Sequence, residues 1–373
     1  MSVRVLHVAD VHLGAPLANF GAYAGRRRQE LAEAFCRVAA IAIAERVHAV
    51  LIAGDLFDTW RPDPADVDLV RRELGRLREA GIKTFAVPGT HDSLAYVDCV
   101  YRTQALPFHR FFDGPTFADP SRLEIAGVPV VIYGIAYDRD RTVDGWASLG
   151  REREDGIHIA LVHAACRSNP GWRIDPDDLP FAESELAARR MDYVALGHYH
   201  NLRIFRAGPR VVGAYSGSVL GRDWSEPGPR NVLVVEWVAA GDPPTVRPVP
   251  IGGRDVESRS VDVSGLTDPE AIAVAVSAAC PPGMIWQVML TGEPEIVIRP
   301  AAIEAALEPT HGHLRLIDET MLAASHRVTE RCEEETVRGE FFRRLVAARE
   351  TAAGDRDRAV AERAIKLGLR VFG

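Results

Sequence analysis

An α/β fold built on two sheets is predicted for this chain. Three observations predict it. Apolar strand-like runs alternate with helical runs over roughly the first hundred residues; strands then follow one another closely from about residue 120; and the alternation restarts past a proline- and glycine-rich stretch near residue 250. The opening VRVLHVA is a β-branched run, and AVLIAG and KTFAVPG repeat its character. Between them lie RRRQELAEAFCRVAAIAIAERV and PADVDLVRRELGRLREAG. In the first of these, Leu31, Phe35, Val38 and Ala42 recur at spacings of four, three and four, which makes one apolar stripe on a helix.

Strand, helix, strand, helix, strand implies a parallel sheet with helices on its faces. RLEIAG, VPVVIYGIA, IHIALVHA, DYVALGH, LRIFRA, RVVGAY and NVLVVEWV then read as a second, mixed sheet. Past GDPPTVRPVPIGGRD, a compact β-α-β unit is read from SRSVDVSG, helical DPEAIAVAVSAAC and WQVMLTG. The last stretch, from RVTERCEEETVRGEFFRRLVAARE to AERAIKLGLRVFG, is charged and helical. The expected organisation is a main domain over 1–250, a small β-α-β domain over 251–323 and a helical tail over 324–373.

Composition narrows the class. With 373 residues, 47% of them apolar, the chain can bury substantial cores. Its 44 basic and 52 acidic residues give a formal net charge of −8 and no basic tail, so any polyanionic ligand must find its positive potential in metal ions or local patches. The cysteines Cys36, Cys99, Cys166, Cys280 and Cys332 lack metal-finger spacing, and MSVRVLHVAD reads as a strand rather than a signal peptide. No apolar run approaches the ~18 residues a membrane helix needs. No membrane association is expected, and the expected compartment is the cytoplasm.

Chemistry gathers where strands end. VLHVADVHLG closes its strand with Asp10 and His12, whose side chains would share one side of an extended chain. LIAGDLFD presents Asp55 and Asp58, and FAVPGTHD presents Thr90, His91 and Asp92. ALVHA carries His163, and VALGHYH carries His198 and His200. Ligands of open α/β sheets bind outside the carboxyl ends of strands, and converging imidazoles and carboxylates suit divalent transition ions. Each piece alone has an ordinary explanation: a chance DxH, an Asp that caps a turn, a pair of surface histidines. Five such pieces in order, each after an apolar strand, do not.

That order resembles the calcineurin-like metallophosphoesterases, whose motifs are DxH, GDxxD, GNHD or GNHE, H and GHxH; the likeness covers roughly residues 3 to 240. Within them, ADVHLG, GDLFD and YSGSVLGRDWSEPGPRNVLVVEW are similar to the DNA-repair exonuclease branch, the SbcD-type nucleases and their YhaO-like relatives. The resemblance implies a two-sheet metallophosphoesterase sandwich with a small β-α-β capping domain, seen in pattern over 256 to 320. It implies two divalent ions, manganese foremost, with iron, zinc or magnesium as alternatives. Asp10, His12 and His200 would bind one, His163 and His198 the other, and Asp55 would bridge them. His91 matches the catalytic histidine, Asp58 the residue that orients it, and Asp92 a residue that fixes the turn. DNA is the implied substrate and an SbcC-type coiled-coil ATPase the implied partner, with a homodimer left open.

One position departs. Thr90 stands where the family has an asparagine whose carboxamide binds the second metal, and a hydroxyl nearer the backbone falls short of the ~2.0–2.2 Å such a bond requires. Two further functions therefore stay open: a phosphodiesterase or phosphatase for a small molecule or nucleotide, and a scaffold subunit with a degraded metal site. In GRDWSEPGPR, Arg222 and Glu226 either line a substrate groove or form a rim salt bridge. His7, His48, His109 and His158 lack partners at ligand spacing and read as structural or surface residues, and the HGH of 311–313 reads as a solvated loop. In the tail, Phe341, Phe342, Leu345 and Val346 either dock a partner helix or pack on their own domain.

Overall fold

The computed structural model describes residues 2–137, 145–153, 155–168, 178–321 and 326–372; the expected edge between small domain and tail, at 323/324, lies outside the described residues. The chain divides into two compact units, Met1–Asp255 and Val256–Gly373.

In the first unit β1 (Val3–Val8), α1 (Ala24–Ala44), β2 (Ala49–Ala53), α2 (Pro64–Glu79) and β3 (Lys83–Val87) alternate as the sequence pattern does. The three strands pair in parallel, and β4 (Arg110–Phe111), after the single turn α3 (Val100–Thr103), extends the row. Helix α1 buries Leu31, Phe35, Val38 and Ala42, the stripe read from its spacing. Helix α2 begins with Pro64, whose missing N–H falls where no intrahelical bond would be made.

The second sheet holds β5 (Ser121–Ile125), β6 (Val128–Gly134), β7 (Ile157–His163), β8 (Tyr193–Gly197), β9 (Arg203–Ala207) and β10 (Arg210–Tyr215), ordered β5-β6-β7-β8-β10-β9, with α4 (Glu183–Ala188) before β8. Strands β6, β7, β8 and β10 are parallel, and β5 and β9 run antiparallel at the edges. The sheet is mixed, as expected.

The strand NVLVVEWV corrects the expectation for both sheets. As β11 (Asn231–Trp237) it pairs antiparallel with β1 in the first sheet, and β12 (Thr245–Pro250) pairs antiparallel beyond it. The first sheet is therefore mixed too, in the order β12-β11-β1-β2-β3-β4. The physical reason is non-local. Val232, Leu233, Val234, Val235 and Trp237 are all buried, which needs cover on both faces of β11, and its backbone is paired on both edges; β1 supplies one of them, an open edge that no local pattern reveals.

The two sheets share one core: Val5, Leu51 and Phe85 of the first cluster with Ile132, Leu161 and Tyr193 of the second. Along β1, Val3 and Val5 face this interior and His7 follows at the same period of two. His7 is fully buried, with ring nitrogens on the Tyr193 hydroxyl at 3.0 Å and the Leu196 carbonyl at 3.1 Å. Gly197 lies where the layers approach, and a Cβ there would run into the Ala53 carbonyl and the His163 ring.

The second unit is a wholly parallel three-stranded sheet, β13 (Val256–Asp262), β14 (Ile285–Thr291) and β15 (Leu314–Asp318), with α5 (Pro269–Ala279) and α6 (Pro300–His311) as crossovers. The sequence reading held only the first crossover. It also left 311–313 as a solvated loop, whereas His311 is buried at the end of α6, with Nε2 on the Cys280 carbonyl and Nδ1 on the Thr310 hydroxyl, both at 2.8 Å. Ile303, Leu307 and His311 recur every four residues, and the histidine completes the helix's buried stripe in a place usually taken by an aliphatic residue.

The same unit ends in α7 (His326–Glu333), α8 (Val337–Glu350) and α9 (Asp355–Phe372). Phe342 is buried against Ile365 and Leu369, and Leu345 and Val346 lean on that cluster, so three of the four tail residues singled out pack within the chain. Among the described residues no helix is long and apolar enough to cross a membrane.

Candidate metal centre

The loops that leave β1 and β2 are laced together by their backbones. The Asp10 amide donates to the Gly54 carbonyl, that of His12 to Asp55, and that of Asp58 to Leu13, at 3.2, 2.9 and 2.9 Å. This lacing bends the chain: Asp10, His12 and Asp55 take φ of 52°, 53° and 49°; His198, which follows β8, takes 103°. The expectation that Asp10 and His12 converge through extended-chain spacing is thereby corrected. They converge because both lie past the strand in left-handed turns, a conformation that costs a non-glycine residue about 1–2 kcal/mol and persists where surrounding structure enforces it.

The loop after β3 is tied in by two carboxylates. Asp92, fully buried, accepts from the amides of Gly89 (2.7 Å), Leu56 (2.8 Å) and Phe57 (3.1 Å) and from the Tyr101 hydroxyl, so it joins the second and third loops. Burial, with the charge of Asp55 added, pushes its carboxyl up to about 6 against those donors. Asp55 accepts from the His91 amide at 2.8 Å and from the Thr90 hydroxyl at 3.2 Å. Burial opposes the Asp55 charge, but His163 and His12 outweigh it and hold the carboxyl well below its ordinary range.

Four imidazoles converge on Asp55 and Asp10 in one repeated arrangement. Each has an outer nitrogen on an oxygen: His12 Nδ1 on Asp58 Oδ1 (3.1 Å), His163 Nδ1 on the Ala53 carbonyl (2.9 Å), His200 Nδ1 on Glu226 Oε1 (2.6 Å), and His198 Nε2 toward Asp178 Oδ2 (3.4 Å). The inner nitrogens then face one another in pairs, His12 Nε2 with His200 Nε2 at 3.3 Å and His163 Nε2 with His198 Nδ1 at 3.1 Å. Asp55 Oδ2 stands 3.6 Å from His12 Nε2 and 3.4 Å from His163 Nε2. Asp10 accepts from the His198 amide on Oδ1 (2.9 Å), while its Oδ2 is buried with no hydrogen-bond partner.

These features fit divalent cations. With each outer nitrogen on an oxygen, the inner nitrogens are turned toward one another and toward Asp55, where a cation would take up their lone pairs. A buried carboxylate oxygen without a donor is likewise unfavourable unless a cation satisfies it. Asp10, His12 and His200, and Asp10, Asp55 and His163, each bring ligand atoms within 4.8 Å of one another. Imidazole and carboxylate together suit manganese, iron or zinc.

His91 is different. Its side chain is 44% exposed, its ring stands edge-on to His12 with centroids 4.7 Å apart, and its Nδ1 bonds the Asp58 carbonyl at 3.0 Å. The Asp58 carboxylate lies farther from it, at 3.7 Å, and is engaged by His12 and by Arg222 Nη2 at 2.9 Å. Arg222, expected at a groove or a rim, stands on Asp58; Glu226 stands on His200. Sequence reasoning missed Asp178 and Ser218 altogether, because no strand-end pattern marks them. His48 and His158 pair elsewhere, with the Arg4 backbone and with Tyr133, and His109 lies edge-on to Phe85.

Residues 3–202 match the calcineurin-like phosphoesterase family. The DNA double-strand break repair protein Mre11 of Sulfurisphaera tokodaii is 32% identical over 219 residues, which cover 56% of this chain and 52% of that protein. The metallophosphoesterase YhaO of Bacillus subtilis is 28% identical over 251 residues, 64% of this chain and 58% of its own length. The Mre11 protein of Aeropyrum pernix is 29% identical over 275 residues, 70% of this chain and 64% of its own. The chain thus spans between 52% and 64% of the length of these relatives.

Asp92→Ala should destabilise the chain by about 3 kcal/mol or more, since the Gly89, Leu56 and Phe57 amides lose their acceptor and each buried donor left unmatched costs ~1–3 kcal/mol. Urea unfolding measures it, and a loss below about 1 kcal/mol would contradict the role assigned to this carboxylate.

Proposed function

We propose that this chain, which belongs to the calcineurin-like phosphoesterase family, is a two-metal phosphodiesterase whose substrate is DNA. The family makes it a metal-dependent hydrolase of phosphodiester bonds. The observation that carries the two-metal reading is the pair of inward-facing imidazole couples, each ring anchored from outside, on either side of Asp55.

In this reading Asp10, His12 and His200 would hold one cation and His163 and His198 the other, with Asp55 shared between them. Manganese is the first choice, because imidazole nitrogen disfavours magnesium. Bound there, the two ions would supply charge neutralisation of the phosphate and activation of the attacking water. His91 has the exposure that contact with a leaving group requires: with Nδ1 held on the Asp58 carbonyl, Nε2 is the ring nitrogen left to pass a proton to the departing oxygen. The diester then becomes a monoester and an alcohol. Asp58 orients His91 through its carbonyl, and Arg222 restrains Asp58 beside the substrate. The Mre11 relatives favour DNA over a small diester, and the unit after Asp255 is read as the capping domain, followed by the tail.

Asp55→Asn should remove both ions and nearly all turnover of bis-p-nitrophenyl phosphate and linear DNA. His91→Ala should keep both ions and lose turnover ~10²–10⁴-fold, the usual contribution of a general acid. Metal analysis beside initial rates separates them; two ions and normal rates in Asp55→Asn, or a lost ion in His91→Ala, would sink the assignment.

Thr90 bears on the second position. Its hydroxyl is turned onto Asp55 Oδ2 at 3.2 Å, which supports an outer role and a weaker cation between His163 and His198. Thr90→Asn should lower the manganese concentration for half-maximal activity by about tenfold or more, the scale of such shell changes. An unchanged requirement contradicts this, and no hydrolysis by either form at saturating metal would favour the scaffold function.

The tail is read as the docking element for a coiled-coil ATPase. On α9, Ala361, Ile365 and Leu369 are buried, whereas Val360, Leu367 and Val371 are exposed at 63%, 62% and 67%, spaced as one stripe for a partner helix. Val360→Asp with Leu367→Asp should abolish co-purification with the ATPase and spare hydrolysis of the small diester. Retained co-purification would refute this docking surface.

A further inference from the structure

We propose that Glu226 is a positioning residue: one carboxylate sets the tautomer of His200 and, through its second oxygen, holds the loop that carries Arg222 onto Asp58. This rests on the two-cation reading above and adds to it the residue on which the affinity of the position shared by Asp10, His12 and His200 depends.

Glu226 is buried, 5% exposed, and both its oxygens are filled by donors. Oε1 takes His200 Nδ1 at 2.6 Å; Oε2 takes the Ser218 hydroxyl at 2.8 Å and the Arg222 amide at 3.0 Å. Arg230 Nη1 stands 3.7 Å from Oε2 and balances the charge. A carboxylate only accepts, so His200 Nδ1 carries a proton, and Nε2 is the nitrogen turned toward His12 Nε2 at 3.3 Å, where Asp10 also converges and a cation would find its lone pair. The opposite tautomer would place an N–H inside the cluster and lose the bond to Glu226.

The second oxygen reaches the same cluster by another route. The Arg222 amide is fixed by Glu226, and the guanidinium of Arg222 lies on Asp58 Oδ1 at 2.9 Å, the oxygen that anchors His12 Nδ1 at 3.1 Å. Glu226 therefore supports His200 directly and His12 through Arg222 and Asp58. An amide cannot do both. A glutamine has one oxygen: turned to His200 it sets its NH₂ against the Arg222 amide, and turned to Arg222 it donates to His200 Nδ1 and drives the proton to Nε2.

The test is manganese calorimetry with nitrogen NMR of the histidine tautomers, on the full chain. In metal-free wild type His200 Nδ1 is expected to carry a proton, and manganese should bind in two steps. Glu226→Gln should weaken one step about 10–100-fold, the same step that His200→Ala abolishes, and leave the other unchanged. Two unchanged steps in Glu226→Gln, where His200→Ala loses one, overturn the positioning role and leave the two-cation reading standing. A wild type that binds no manganese overturns both. Should Glu226→Gln fail to fold, the wild-type spectrum still decides: a His200 Nδ1 without a proton refutes the proposal.

Discussion

A buried carboxylate, Asp55, is the point on which the loops of three strands close. Removed from water, its charge must be met by donors and by imidazoles, and the chain supplies the His91 amide, the Thr90 hydroxyl and the rings of His12 and His163. That demand explains glycines whose identity is otherwise arbitrary. A Cβ on Gly89 would fall on the Asp55 carboxylate, and one on Gly54, at φ +88°, on the ring of His163. The loops approach Asp55 so closely that only a bare backbone fits.

Around that charge, the imidazoles are held from outside in four different ways: by a carboxylate shared with an arginine, by a backbone carbonyl, by a carboxylate with two further donors, and by an aspartate that precedes β8. The common result is that inner nitrogens point inward before any ligand arrives. A centre organised in this way does not have to spend ligand binding on fixing side chains, which is what an outer ring of hydrogen-bond acceptors achieves in metal sites generally. His91 stands apart, exposed and tied by a carbonyl.

Much of this was legible because strand ends carry their chemistry in the strand's own sequence. A short apolar run followed by Asp10 and His12, or by His198 and His200, names both the element and the group it delivers. The apolar stripe of α1 was legible for the same local reason. What could not be read was non-local. The pairing of β11 with β1 depends on an open edge more than two hundred residues away. The left-handed turns at Asp10, His12 and Asp55 arise from backbone bonds between loops, so spacing arguments drawn on an extended chain reached the right residues by the wrong geometry. Glu226, Ser218 and Asp178 follow no periodicity, and their importance appears only when the rings they face are in place. His311 was misread as part of a loop because the helix that carries it, α6, was not read from the sequence, and its carbonyl partner at Cys280 is seen only in the fold.

The central claim, that Asp55 lies between two cation positions defined by two imidazole pairs, is tested most directly by anomalous diffraction at the manganese edge from crystals of the manganese-loaded chain. The account predicts two peaks about 3.5–4 Å apart, the separation usual for paired catalytic ions, one against His12 and His200 and the other against His163 and His198, with the Asp55 carboxylate touching both. A single peak, or peaks that lie away from these imidazoles, would contradict it.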